Sequence, residues 1–182
     1  MKTSYTLFDR LLHWSMALGI LFILLTVFLR LNWMEKNHVA QILTDQLSSI
    51  DIEITKEQAI KIAKKIRKPM FDWHLIIGYV VSGIFVLRMF YYAKNKKSFK
   101  PVAKREIFEL WVYRIFYVLL GITLFTGLYM KFGPDYLEHD IEEIHELSWY
   151  YMVVFLVLHF VGILLSELGS KKGLVSKMIG GK

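Results

Sequence analysis

Four of the six histidines in this chain of 182 residues lie within apolar runs or at their edges: His13, His74, His145 and His159. An imidazole is either a proton carrier near neutral pH or a nitrogen ligand for a metal. Ionisable groups inside a membrane helix are costly, so they mark ligands, relays or transport paths. His145 and His159 share the run Ile144 to Glu167 and are fourteen residues apart. On one straight helix that spacing leaves the rings about 40° from eclipsed and roughly 21 Å apart along the axis. Two stacked sites, one near each membrane surface, need such a spacing. His13 lies near the inner end of its run, as His159 does, and His74 lies at the outer end of its own, as His145 does. The depths therefore sort the four into two pairs, His13 with His159 and His74 with His145, each joining the last span to a different helix.

Two neutral imidazoles facing one another across a bundle suit the axial ligation of a b-type haem, which fills apolar volume and needs no covalent attachment. A zinc site wants three or four ligands. A proton or metal transporter carries carboxylates at mid-membrane, whereas Glu109, Glu142, Glu143 and Glu146 all lie near span ends. Two bis-histidine haems are the leading reading, and structural or other metal-binding roles for the histidines stay open. With both axial positions filled, such an iron passes electrons and binds no oxygen.

The elements that must hold these residues are membrane helices. The composition is 55% hydrophobic and 15% aromatic with three prolines, and the mean hydropathy is +0.40. That is too apolar for a soluble domain of this size. Spanning about 30 Å of hydrocarbon takes roughly 20 apolar residues. Four stretches qualify, at about 7–31, 71–92, 107–130 and 144–166. The expected fold is all-α, a single integral membrane domain built as a four-helix bundle. An extra extramembrane segment lies between helices 1 and 2. The first span reads as a retained signal anchor, because its apolar run is too long for a cleaved signal and no small-residue cleavage site follows it. The chain has no cysteine, which removes disulfides, covalent c-type haem attachment and thiolate metal ligands.

Lys94, Lys96, Lys97, Lys100, Lys104 and Arg105 crowd the connection after span two. The connection before span four instead carries Asp135, Glu138, Asp140, Glu142 and Glu143. By the positive-inside rule the basic loop faces the cytoplasm, with both termini on the same side. Lys61, Lys64, Lys65, Arg67 and Lys68, just outside span two, weigh against that orientation. The outer connection, 34–69, is expected to fold on the membrane surface. A short helix is expected over Asn37 to Leu47. A strand-like piece is expected at Ile50, Ile52 and Ile54. A capping box at Thr55 and Gln58 should open an amphipathic helix with Ala59, Ile62, Ala63 and Ile66 on one face. That helix either lies on lipid or the bundle or offers a basic docking surface to an acidic partner. Gly78 follows His74 by one turn and leaves room for a flat ligand, and Gly121 and Gly127 of span three read as packing and clearance. Arg10, Arg88 and Arg114 inside, and Arg30 and Lys131 outside, are candidates to neutralise propionates. The basic tail from Lys171 onward is expected along the cytoplasmic headgroups.

These features together resemble a known family. The DRxxHW opening at Asp9 to Trp14, His74 followed by Gly78, Leu87 with Arg88 near the end of span two, and the H-x13-H of span four resemble the bacterial cytochrome b561 and hydrogenase-type cytochrome b superfamily. The resemblance implies two haems b ligated by His13, His74, His145 and His159. It implies an inner-membrane, redox-active cytochrome moving electrons between a periplasmic cytochrome c or redox enzyme and the quinone pool, with quinone itself a candidate ligand. An autonomous superoxide:quinone oxidoreductase is the alternative within the class. A haem-free membrane metal transporter or assembly factor is the alternative outside it. No feature points to a nucleic acid, and the oligomeric state is open. The long connection Met34 to Pro69 exceeds what compact members of the superfamily need.

Overall fold

A computed structural model describes residues 5–95, 104–169 and 173–181, apart from the side chains of Asp135 and Glu138. The calls on Lys2, Lys96, Lys97, Lys100, Lys171, Lys172 and Lys182, and on those two acidic side chains, lie outside the described residues. Among the described residues every regular element is a helix. They are α1 (Leu7–Leu31), α2 (Lys36–Ser48), α3 (Lys56–Ile66), α4 (Lys68–Lys94), α5 (Lys104–Phe132), α6 (Glu138–Glu146), α7 (Ser148–Leu168) and α8 (Leu174–Gly180), with a single 3-10 turn at Asp135–Leu137. Four helical stretches are long and apolar enough to cross a membrane: Leu7–Leu31, Lys56–Lys94, Lys104–Phe132 and His139–Leu168. The protein is an all-α membrane helix bundle.

The chain forms two compact units, residues 18–81 and residues 1–17 with 82–182. Within the first, α1 and α4 approach closely at Gly19, where an added Cβ would come within 2.5 Å of Val81 Cγ2. Val81 is fully buried there. Beyond α1, Glu35 caps α2 by accepting from the amides of Asn37 and His38. Thr55 and Gln58 form the expected capping box at the start of α3. The two short helices pack as a hairpin around Ala40, Ala59 and Ala63, with Val39, Ile54 and Ile60 against them.

Around this hairpin the side chains sort as follows. Of the apolar face of α3, Ala59 and Ala63 are taken up by α2 and Ile60 joins them, while Ile62 and Ile66 stay exposed; the expectation that changes is the strand. Alanine lets two helices approach closely, so the alanine stripe chooses the neighbour. Ile50, Ile52 and Ile54 form no strand. Asp51 turns the chain with a positive φ of 59°, the amide of Ile52 bonds back to the Leu47 carbonyl, and Ile54 turns in onto the hairpin core. A lone extended segment with no partner has no ladder to join.

In the other unit, Thr6 and Asp9 cap α1 reciprocally. The Asp9 amide donates to Thr6 Oγ1 at 3.1 Å and the Thr6 amide to Asp9 Oδ2 at 3.2 Å. α5 and α7 interlock through Phe116 and Phe155, whose rings stack at 3.5 Å. The Tyr151 hydroxyl donates to the Leu119 carbonyl at 2.9 Å. Span four runs as one helical stretch, His139–Leu168, in which Leu147, itself in the right-handed helical region at φ −65° and ψ −17°, marks the passage from the charged α6, which carries His145, to the apolar α7, which carries His159. The tail folds back onto α1: Trp14 Nε1 donates to the Met178 carbonyl at 3.2 Å and Arg10 to the Ile179 carbonyl at 2.5 Å. Carbonyls at a helix end lack intrahelical partners, and these two donors supply them.

Candidate functional site

His13 and His159, on α1 and α7, come together with ring centroids 6.2 Å apart and planes at 44°. Both are half-buried. The surroundings of His159 are aromatic. The Phe155 ring stacks on it at 5.6 Å, the Tyr113 ring meets it edge-on at 6.0 Å, and the Tyr113 hydroxyl lies 3.1 Å from His159 Nδ1. Trp14 stands edge-on to His13 at 5.6 Å.

His74 and His145 belong to different compact units, and each has its own setting. His74 Nδ1 lies 2.7 Å from Oγ1 of Thr26, a threonine buried on α1. One turn along α4, a Cβ added at Gly78 would meet nothing within 4 Å. His145 Nδ1 lies 3.0 Å from Oγ1 of the buried Thr126 and 3.1 Å from the Thr123 carbonyl. A Cβ at Gly127 would stand 3.0 Å from His145 Cε1, so this glycine of α5 gives the ring its room. The clearance expected of span three is thus used by a histidine. Gly121 faces Phe85 instead.

The arginines divide by partner. Arg88 donates to the Leu12 carbonyl at 3.5 Å and to the Tyr92 hydroxyl at 3.3 Å, and lies over the Tyr92 and Tyr117 rings at 5.4 and 5.6 Å. Its Nε is buried with no hydrogen-bond partner among the described residues, as is that of Arg10. Arg114 lies over Trp111 at 5.5 Å and Arg30 over Phe71 at 5.9 Å. Arg105 joins α5 to α7, donating to Ser166 Oγ at 2.7 Å and to the Gly162 carbonyl at 3.2 Å, and pairs with Glu109 at 2.8 Å. Among the described residues no group of three or more His, Cys, Asp or Glu side chains is placed to hold a metal ion.

The model of the prokaryotic cytochrome b561 family matches residues 4–181. The chain belongs to that family. It is therefore a multi-pass bacterial membrane protein, a b-type haem cytochrome of electron transport, and the haem-free transporter reading is set aside. No curated protein and no solved structure matches the chain.

Four residues that matter here escape a reading of the sequence: Thr26, Thr123, Thr126 and Tyr113. The available signal was weak. A hydroxyl in an apolar run such as Leu25-Thr26-Val27 is satisfied by its own helix's carbonyls as readily as by a distant ring.

Proposed function

We propose that this cytochrome holds two haems b, His13 with His159 toward the cytoplasm and His74 with His145 toward the periplasm. It passes electrons between a periplasmic cytochrome c or redox enzyme and the quinone pool, as the membrane member of a larger redox system. The observation that carries this is the separation of His13 and His159. Roughly 2 Å from a metal to each nitrogen, plus roughly 1 Å from nitrogen to ring centre, sets two trans imidazoles about 6 Å apart between centroids. Their centroid distance is 6.2 Å. The open space beside Gly78 and the buried, unsatisfied Nε atoms of Arg10 and Arg88 suit a flat macrocycle bearing carboxylates.

A b haem held by these histidines would supply one-electron transfer. The chain's own residues do the rest. The histidines would hold and orient the group, the rings of Phe155 and Tyr113 pack against His159, and the arginines would balance charge. Exposed Lys56, Lys61, Lys64, Lys65 and Lys68 on and beside α3 offer a basic surface to an acidic docking partner. The termini lie on the cytoplasmic side by the distribution of basic residues.

A pyridine haemochrome count on the detergent-purified chain is expected to give two haems b per polypeptide, and a soluble quinol should reduce both. One haem per chain would contradict the paired arrangement. Superoxide consumption above that of free haem would favour the autonomous oxidoreductase instead.

A further inference from the structure

Each outer histidine is tied at Nδ1 by the same device, a threonine whose hydroxyl is already committed to its own helix. Thr26 Oγ1 donates its one hydrogen to the Ile23 carbonyl at 2.6 Å. Thr126 Oγ1 donates its own to the Thr123 carbonyl at 2.9 Å. With the hydrogen spent three residues back, the lone pairs remain, and a lone pair can only accept. The ring nitrogen facing it must then be the donor. At His145 the point is made twice, since Nδ1 also lies 3.1 Å from the Thr123 carbonyl oxygen, which carries no hydrogen. The proton of each ring therefore sits on Nδ1, and the lone pair on Nε2. Thr26 and Thr126 are both buried, at 4% and 3% exposure, so water does not compete for these bonds.

We infer that Thr26 and Thr126 are positioning residues that fix His74 and His145 as Nδ1–H tautomers, present Nε2 to the metal, and lower the reduction potential of the outer haem. Donation from Nδ1–H to a buried acceptor raises the electron density of the ring and strengthens it as a ligand to the oxidised metal. At the inner pair the group at hand differs. His159 Nδ1 meets a phenol, whose hydroxyl can accept or donate. The inference rests on the proposed pairing of His74 with His145.

The test is a redox titration of the detergent-purified holoprotein with each haem followed by its own α-band. Thr26→Val and Thr126→Val keep the buried shape and remove the hydroxyl. Each should raise the midpoint potential of the outer haem, leave the inner haem where it was, and retain two haems per chain. Thr26→Ser and Thr126→Ser should restore the potential. Thr26→Val should shift it further than Thr126→Val, because His145 keeps the Thr123 carbonyl as an acceptor. An unmoved outer potential in Thr26→Val, or an equal movement in serine and valine variants, would overturn the inference. His74→Ala and His145→Ala separate the two levels of failure. If both remove the same haem and Thr26→Val still shifts nothing, the threonine role alone is wrong. If they remove different haems, the pairing beneath it fails as well.

Discussion

Single side chains settle how α1, α2 and α3 begin, and two of them can be tested apart from any cofactor. Glu35 accepts from the amides of His38 and Asn37 at 2.9 and 2.8 Å, and those bonds, His38 foremost, hold its carboxyl below the usual carboxylate range. A depressed folded pKa means that the carboxylate stabilises α2 fully above its unfolded pKa and ceases to as pH falls through the folded one. The protection factor of the first-turn amides of α2, measured against their intrinsic exchange rate at each pH, should fall on acidification below the ordinary carboxylate range, and Glu35→Gln should flatten that dependence. Asp9, buried at the head of α1, caps Thr6. Asp9→Ala is expected to lower stability by about 1 kcal/mol in a thermal melt in detergent, a change unrelated to haem chemistry. The four histidines were legible from their positions in apolar runs. Asp9 stood in the same motif as His13, but its capping role emerges only once Thr6 is seen to reciprocate. The threonines were opaque because a side chain that bonds to its own helix looks the same in sequence whether or not a ring lies beyond it.

Helix packing turns on small residues. Gly19 of α1 sits where even a methyl group would overlap Val81, and a β-branched side chain on a helix has little rotamer freedom with which to yield. Gly19→Ala should destabilise the protein by about 1–3 kcal/mol, and Val81→Ala in that background should recover part of the lost melting temperature. Both singles being neutral would mean that α1 and α4 do not meet here. Alanine plays the matching part in the α2 and α3 hairpin, where Ala59 and Ala63 are 1% and 0% exposed. The capping box of α3 was readable from Thr55 and Gln58. Which face it buries was not, because periodicity reports an apolar stripe without saying whether lipid, the bundle or α2 will cover it, and close approach favours the alanines over Ile62 and Ile66.

At the level of the molecule, the hydrophobic runs and their lengths made the membrane class legible, and the family match over residues 4–181 agrees with it. Loop charge bears on orientation, and the exposed lysines on and beside α3 weigh against the proposed one. What the proposed function adds is that two metal sites at two depths are each shared between span four and one other helix. Loss of either member of a pair should then have one and the same spectroscopic consequence. The most direct measurement is the low-temperature reduced-minus-oxidised spectrum, with haem count, of His13→Ala, His74→Ala, His145→Ala and His159→Ala purified in parallel. His13→Ala and His159→Ala should lack one α-band, and His74→Ala and His145→Ala should lack the other, each retaining about one haem per chain. If His13→Ala and His159→Ala lose different bands, the pairing is contradicted.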